Sequence, residues 1–397
     1  MLENTKRTKI KIAFVVQRYG LEVSGGAELH CRLLAEHLAK YFDIDVLTTC
    51  AVDYITWRNY YKPGIEILNG VRVIRFPVDC ARRKWIFGGL SRIVYNLPHP
   101  EFLEKWWMKA QGPYSTELLK YIENKKNNYS CFIFFTYLYC TTFYGLPYVK
   151  NKSILIPTAE DTPQLRLKIF KNVFNTAKMI IYNTPEEKSL INSLFENDNI
   201  ISEIIGVSIN IPPKIEPERF RNRYGIRDKF ILYIGRITVD KGCDQLIEYF
   251  IRYKKEKPDS VKLVLIGKNY MNIPHHPDIV HTGYIMDEDK FSALKGAEAL
   301  VLSSRYESLS MVLLEAWSME KPVLANRECN VVEGQLQRSK GGLLYSNYND
   351  FKNALNTLLN DKNFAHEIGK AGHRYFIDNY SWDRIEKKYL EIIENFD

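Results

Sequence analysis

At 397 residues, 46% hydrophobic and 26% charged, the chain has an ordinary globular composition and length enough for two domains with a core each. Its seven cysteines (31, 50, 80, 131, 140, 243 and 329) are scattered without a C-x-x-C, which excludes a disulfide or zinc framework and predicts reduced core residues of a cytosolic protein. The net charge of +8 is uneven: residues 1–205 hold 27 basic against 20 acidic side chains, and residues 206–397 hold 28 against 27.

The basic start MLENTKRTKI runs into a strand without an apolar signal block or cleavage site, so no secretory leader is expected. Lys11–Tyr19 reads as a buried strand, and the loop GLEVSGGAE follows. Ala27, Cys31, Leu34, Ala35 and Leu38 then trace one helix face ahead of the strand DIDVLTTC. This order is Rossmann-like, although the lack of G-x-G-x-x-G argues against a dinucleotide oxidoreductase. Gly25-Gly26 sits where the backbone either approaches a ligand closely or simply turns.

Residues 51–130 read as irregular, apart from a strand at Val71–Val78 and a helix near Ser115–Lys125. Two basic clusters there carry tryptophan: Arg82-Arg83-Lys84-Trp85 and Trp106-Trp107-Met108-Lys109. Either cluster alone reads as a solvated surface with half-buried tryptophans; two in one domain, with 14 basic against 7 acidic residues over 51–150, favour a surface facing anionic lipid. Nucleic acid is the rival partner, but zinc-finger spacing, an RNP-type motif and a basic helix are all missing.

Alternation resumes with Cys131–Tyr139, an apolar run too short to span a bilayer and interrupted by Thr136. SILIPTA, a helix near Gln164–Phe174 and a strand over Lys178–Asn183 follow. Thr184, Pro185 and Glu187 make a capping-box helix start. NIISEIIGV closes the first domain, and Pro212-Pro213 marks the linker.

The second domain opens with the strand Phe230–Gly235, and Gly242 or Asp244 starts the next helix. Arg236 and Lys241 converge above the strand's C-terminal end, where open α/β sheets bind ligands. A guanidinium fork and a compact ammonium suit phosphate oxygens. VKLVLIG, IVHTGY, ALVLSS and KPVLAN are four further strands. Asp287-Glu288-Asp289 reads as a helix start favoured by the dipole, not as a metal site, and His275, His276 and His281 lack third-ligand spacing. Gly341-Gly342 ends a loop after Arg327–Lys340, and Asp350 caps the helix DFKNALNTLLND. The tail is amphipathic, with Trp382, Ile385, Tyr389, Ile392 and Ile393 along one face.

Between ALVLSS and KPVLAN lies RYESLSMVLLEAW. Ser308 is the expected N-cap; Ser308, Met311 and Glu315 then share a helix face, and Glu307 falls in the turn ahead. Two carboxylates thus flank a helix N-terminus whose amides hold an anion, which suits a ligand that is both phosphate and sugar. Their spacing and setting resemble the Glu-x7-Glu signature of retaining GT-B glycosyltransferases, in particular glycosyltransferase family 4, the glycosyl transferases group 1 type.

The resemblance implies two Rossmann-like domains facing a cleft: an acceptor domain over 1–208, joined by the returning helix 380–397, and a donor domain over 209–379. It implies transfer of a hexose-type sugar from a nucleotide-diphosphate sugar, with retention and without a metal or other cofactor. The acceptor is then a glycan or a lipid-linked glycan in cell-surface polysaccharide or glycoconjugate synthesis. The expected place is the cytoplasm, at the inner face of the membrane. Gly25, Gly26, Gly235 and the amides of Ser310 and Met311 would approach the donor. Arg236 and Lys241 would stabilise the diphosphate, Gly283 would face the nucleobase, Glu315 would hold the ribose and Glu307 the donor sugar. Glu160 stands where many members have a histidine that reaches the sugar; either it accepts a sugar hydroxyl instead, or the correspondence is shifted locally. The rival readings are a catalytically silent sugar-nucleotide-binding subunit and a GT-B epimerase or phosphorylase.

Overall fold

In the computed structural model, which describes residues 9–258 and 261–396, the apolar runs become two separate sheets. The chain divides into two units, Met1–Val207 with Ile385–Asp397, and Ser208–Arg384.

The first unit holds β1 (Lys11–Val15), β2 (Asp43–Thr49), β3 (Gly64–Leu68), β4 (Val71–Phe76), β5 (Cys131–Phe135), β6 (Ser153–Ile156), β7 (Met179–Tyr182) and β8 (Ile201–Ile204). They lie in the order β3-β4-β2-β1-β5-β6-β7-β8, parallel except for the β3–β4 pair. Central strands covered on both faces read as unbroken apolar runs, and β5, CFIFF, is buried throughout. At the edges, β8 alternates exposed and half-buried positions. The second unit holds β9 (Phe230–Ile234), β10 (Lys262–Ile266), β11 (Ile279–Gly283), β12 (Ala299–Leu302), β13 (Val323–Asn326) and β14 (Gly342–Tyr345), all parallel in the order β11-β10-β9-β12-β13-β14.

Several local expectations are corrected. Residues 51–130 are not irregular: β3 and the helices Lys84–Asn96 and Glu101–Gln111 lie there, unread because Gly88-Gly89 and Pro98-His99-Pro100 interrupt the periodicity. The stretch Gln164–Phe174 splits into a 3₁₀ turn, Pro163–Arg166, and a helix, Phe170–Thr176. Arg327–Lys340 is mostly the helix Asn330–Ser339, whose buried face includes the polar Gln335 and Ser339 and so looks loop-like in sequence. Asn347, not Asp350, caps Tyr348–Asn360; its side chain accepts from the Asp350 amide, and the Asp350 carboxylate accepts from Ser346. Cys80 is exposed, while the other six cysteines are buried, and none of the seven is in a disulfide.

The tail helix Trp382–Glu394 lays Ile385, Tyr389 and Ile393 into the first unit. Its anchor there is polar and was invisible in the apolar pattern. Glu386 accepts from Lys40 at 3.1 Å and Tyr41 at 2.9 Å and lies 2.7 Å from His37 Nδ1. Tyr389 is fully buried, and its hydroxyl has no partner among the described residues. Tyr389→Ala is therefore expected to cost about 3–5 kcal/mol, as for other large-to-small core changes, whereas Tyr389→Phe leaves stability unchanged or higher. Urea unfolding of the two variants checks both outcomes.

Candidate functional site

In the second unit the chain runs β9, β10, β11 outward along one side of the sheet, then returns to place β12 on the other side of β9. Loops leaving the carboxyl ends of β9 and β12 therefore diverge around a crevice, the usual ligand position in such sheets. Arg236 and Lys241 lie in the loop after β9, and Glu307 in the loop after β12. Lys241, from the β9 loop, lies 2.9 Å from the Glu307 carboxylate of the β12 loop and also donates to the Tyr306 carbonyl at 3.3 Å.

A close backbone approach sets this meeting. Gly242, at φ +69°, begins the helix Cys243–Glu256, and a Cβ there would lie 2.3 Å from the Ser303 carbonyl oxygen at the end of β12. Ser303 Oγ donates in turn to the Lys241 carbonyl at 2.7 Å. Arg236, exposed, sits on a turn built around Tyr233, whose hydroxyl donates to the Arg236 carbonyl at 2.8 Å. Burial raises the Tyr233 pKa strongly, with Cys243 and Glu307 adding and Arg236 pulling it down, so both site charges lie within electrostatic reach of that ring.

Gly235 follows β9, Gly267 follows β10 and Gly283 ends β11, all with positive φ. Gly267, unremarked in sequence, is fixed by contact: its Cβ would meet the Gly235 carbonyl at 1.9 Å. Around this glycine-lined rim, Tyr270, Tyr284 and Tyr306 are exposed, each just beyond a strand's carboxyl end.

The helix of the motif runs Met311–Ser318, with Ser310 as its N-cap instead of Ser308. Leu309 turns into the core first, and Ser310 takes a left-handed conformation without a side-chain cap. The opening amides at Met311 therefore have no intrahelical acceptor. Trp317 holds the helix from below, its indole donating to the Gly341 carbonyl at 3.0 Å in a slot where a Cβ on Gly341 or Gly372 would collide with it.

Glu315 is 5% exposed. One carboxylate oxygen accepts from Lys290 at 2.7 Å; the other is buried without a partner among the described residues. Lys290 comes from the helix Asp287–Gly296, and Asp287 also contacts it at 2.8 Å. Burial disfavours the Lys290 charge, but Glu315 and Asp287 outweigh it and hold the ammonium above its usual range. The same burial raises the Glu315 pKa against the pull of Lys290. Asp287 and Asp289 are used in ion pairs with Lys290 and Arg223, at the helix start where the acidic run was expected. Among the described residues, no group of three or more His, Cys, Asp or Glu side chains gathers as a metal site.

Gly25, Gly26 and Glu160 belong to the first unit. Its sheet reverses between β1 and β5, and the glycine loop follows β1. Gly25 precedes the helix Gly26–Leu38 in a conformation where a Cβ would meet the Glu28 carboxylate at 2.1 Å. Beneath it lies a buried polar cluster that sequence reasoning missed: Glu28 accepts from Gln17 at 2.8 Å and from the Arg18 guanidinium. The half-buried Glu160 follows Thr158, at φ +48°, in a turn pinned by Glu187. The expected capping box exists, with Thr184 accepting from the Glu187 amide, but the Glu187 carboxylate reaches the Ala159 and Asn183 amides at 2.5 and 2.6 Å.

Burial pushes the Glu187 carboxyl from 4.5 up to about 8, against the two amides, with Glu160 adding to the rise. The folded protein thus keeps a proton that the unfolded chain releases between those values. Its contribution to stability is complete below pH 4.5 and disappears as pH rises through about 8. Unfolding free energies measured across that window should decline with pH in the parent and lose much of the slope in Glu187→Gln. An unchanged slope removes Glu187 as its source.

The description glycosyl transferases group 1 matches residues 215–375, the stretch that carries Arg236, Lys241, Glu307 and Glu315. An uncharacterized glycosyltransferase of Methanocaldococcus jannaschii is 24% identical, over 96% of this chain and 97% of its own length. A capsular polysaccharide biosynthesis glycosyltransferase of Staphylococcus aureus is 25% identical, over 41% of this chain and 47% of its own length. HepE from Anabaena, crystallised with UDP and glucose, superposes with a TM-score of 0.70 at 16% identity, covering 97% of this chain and 99% of that one. The group 1 match thus falls on the second unit, the chain is similar to a glycosyltransferase along nearly its whole length, and its two-sheet architecture is the GT-B fold.

Proposed function

We propose that this enzyme is a retaining, metal-independent glycosyltransferase of the family 4 kind. It moves a hexose from a nucleoside-diphosphate sugar to a glycan or lipid-linked acceptor at the cytosolic face of a membrane. The observation that carries the reading is the pairing of Lys241 with Glu307 at the mouth of a helix whose inner residue, Glu315, keeps one buried carboxylate oxygen unpartnered. A buried acceptor without a donor is costly unless a ligand supplies one, and paired ribose hydroxyls are such donors.

In the reaction the bond between the anomeric carbon and the diphosphate oxygen breaks, leaving negative charge on the phosphate. Lys241, Arg236 and the amide of Met311 are fixed donors that favour this charge more in the transition state than in the ground state. The acceptor hydroxyl attacks from the side the phosphate leaves, and its proton passes to the departing phosphate oxygen. Glu307, already bound to Lys241, sits beside that phosphate and accepts from a hydroxyl of the sugar. The positive charge supplied by Lys241 and Arg236 takes the place of a divalent ion, so turnover should persist in EDTA.

UDP is the first nucleotide to test, because HepE was crystallised with it. Calorimetry should show Glu315→Ala losing nucleotide affinity while Glu307→Ala keeps it and loses turnover. Equal binding losses in the two variants overturn the assignment. Lys241→Ala and Arg236→Ala should each lower kcat by an amount on the order of 2–4 kcal/mol. Near-parental turnover in either removes that residue from the site.

A further inference from the structure

We propose that the helical hairpin Lys84–Asn96 and Glu101–Gln111 is the surface by which this protein lies on an anionic lipid bilayer. The proposal rests on the reading of a membrane-borne acceptor and specifies the part of the chain that meets the membrane.

A helix as apolar as Lys84–Asn96 normally buries one face. Here Val94 alone among its 13 residues is buried. Phe87, Leu90 and Tyr95 pack partly against the core. Trp85, by contrast, is 77% exposed. In the partner helix, Trp107 is fully buried and donates to Ser91 at 2.9 Å, while its neighbour Trp106 is 62% exposed. Phe102 packs against Trp106 with ring centroids 5.4 Å apart and is 52% exposed. Phe102, Lys105, Trp106 and Lys109 recur at helical spacing, so aromatic and cationic groups share one outward face.

Charge decides what kind of surface can cover that face. Arg83, Lys84, Arg92, Lys105 and Lys109 are exposed on the hairpin. Its two carboxylates do little to oppose them: Glu101 pairs with Lys105 at 3.1 Å, and Glu104 is buried against His99 and the Ile169 amide. The first basic cluster does not act as a block, however. Arg82 turns inward, donating to Gln111 and stacking over Phe87 at 4.5 Å, so it is structural and leaves Arg83 and Lys84 as the outward cations. Gly88 and Gly89 leave the exposed stretch between Trp85 and Arg92 without side chains, and a Cβ on either would touch nothing within 4 Å. The backbone can therefore lie close to a flat surface. No helix among the described residues is long and apolar enough to cross a membrane, so contact of this kind is lateral. Indole rings and cations together on one face match the headgroup region of an anionic leaflet better than a neutral protein surface.

Flotation of the full chain with vesicles of phosphatidylcholine and phosphatidylglycerol, against phosphatidylcholine alone, tests the proposal. Binding should require the anionic lipid, weaken with added salt and shift tryptophan emission to the blue. Arg83→Ser with Lys84→Ser should lower affinity roughly five-fold for each cation removed. Trp85→Ser with Trp106→Ser should abolish most of the blue shift, with melting curves like the parent because both rings are exposed. Lys171→Ser with Lys387→Ser, a charge-matched pair elsewhere, should bind as the parent does. No binding to anionic vesicles at low salt, equal binding to neutral ones, or parental binding by both hairpin variants overturns it. Capture by heparin as tight as by vesicles and indifferent to Trp85 and Trp106 also overturns it, and assigns the face to a soluble polyanion. A thermal shift with UDP, run on the same samples, reports the donor site separately, so failure of either reading is visible without the other.

Discussion

The meeting of the β9 and β12 loops in the second unit depends on one backbone approach, that of Gly242 to the carbonyl of Ser303. Two strands adjacent in the sheet, β9 and β12, are far apart in sequence, and their outgoing loops have no local reason to meet. With no side chain at Gly242, the turn after β9 can lie against the end of β12, and Ser303 secures it through the Lys241 carbonyl. The lysine then has one direction to take, toward Glu307. A cation and a carboxylate on different loops become a single charged unit, held in place by the fold itself.

A second constraint works from beneath. The helix Met311–Ser318 is only two turns long and gains little stability from its own hydrogen bonds. It is fixed instead by Trp317, inserted among Gly341 and Gly372, and by Glu315 against Lys290. The opening amides and the carboxylates around them thus inherit their position from the core. The first unit uses the same device differently: its glycine turn rests on the buried Arg18–Glu28 pair, and the Glu160 turn on Glu187. Losing one member of such a buried pair costs more than the pair itself contributes, because the partner's charge is stranded.

The parallel strands were legible in the sequence because burial on both faces demands continuous apolar runs, as in Lys11–Val15 and Cys131–Phe135. Thr184-Pro185 was legible because capping chemistry is local. What escaped had non-local causes. The Lys84–Asn96 helix hid behind two glycines that weaken the local helical signal, and its neighbour behind flanking prolines. The motif helix starts at Met311 because Leu309 is drawn into the core, a tertiary fact that spacing cannot report. Of the site, the residue types at Arg236, Lys241, Glu307 and Glu315 stood out through family resemblance. The Lys241–Glu307 contact, the supports Lys290 and Gly267, and in the first unit the Glu187 carboxylate beneath the Glu160 turn, required knowing which loops each sheet brings together.

The unpartnered oxygen of Glu315 has a consequence for how this protein would change under selection. In the empty enzyme that oxygen is a standing energetic defect, but a neutral side chain at Glu315 alone would strand the Lys290 ammonium, so only a paired apolar replacement of both would remove it. A population screened for heat resistance alone would reach such a paired change only through a destabilised single variant. The buried ion pair thus makes the glutamate hard to lose one step at a time, whatever the stability cost of its second oxygen.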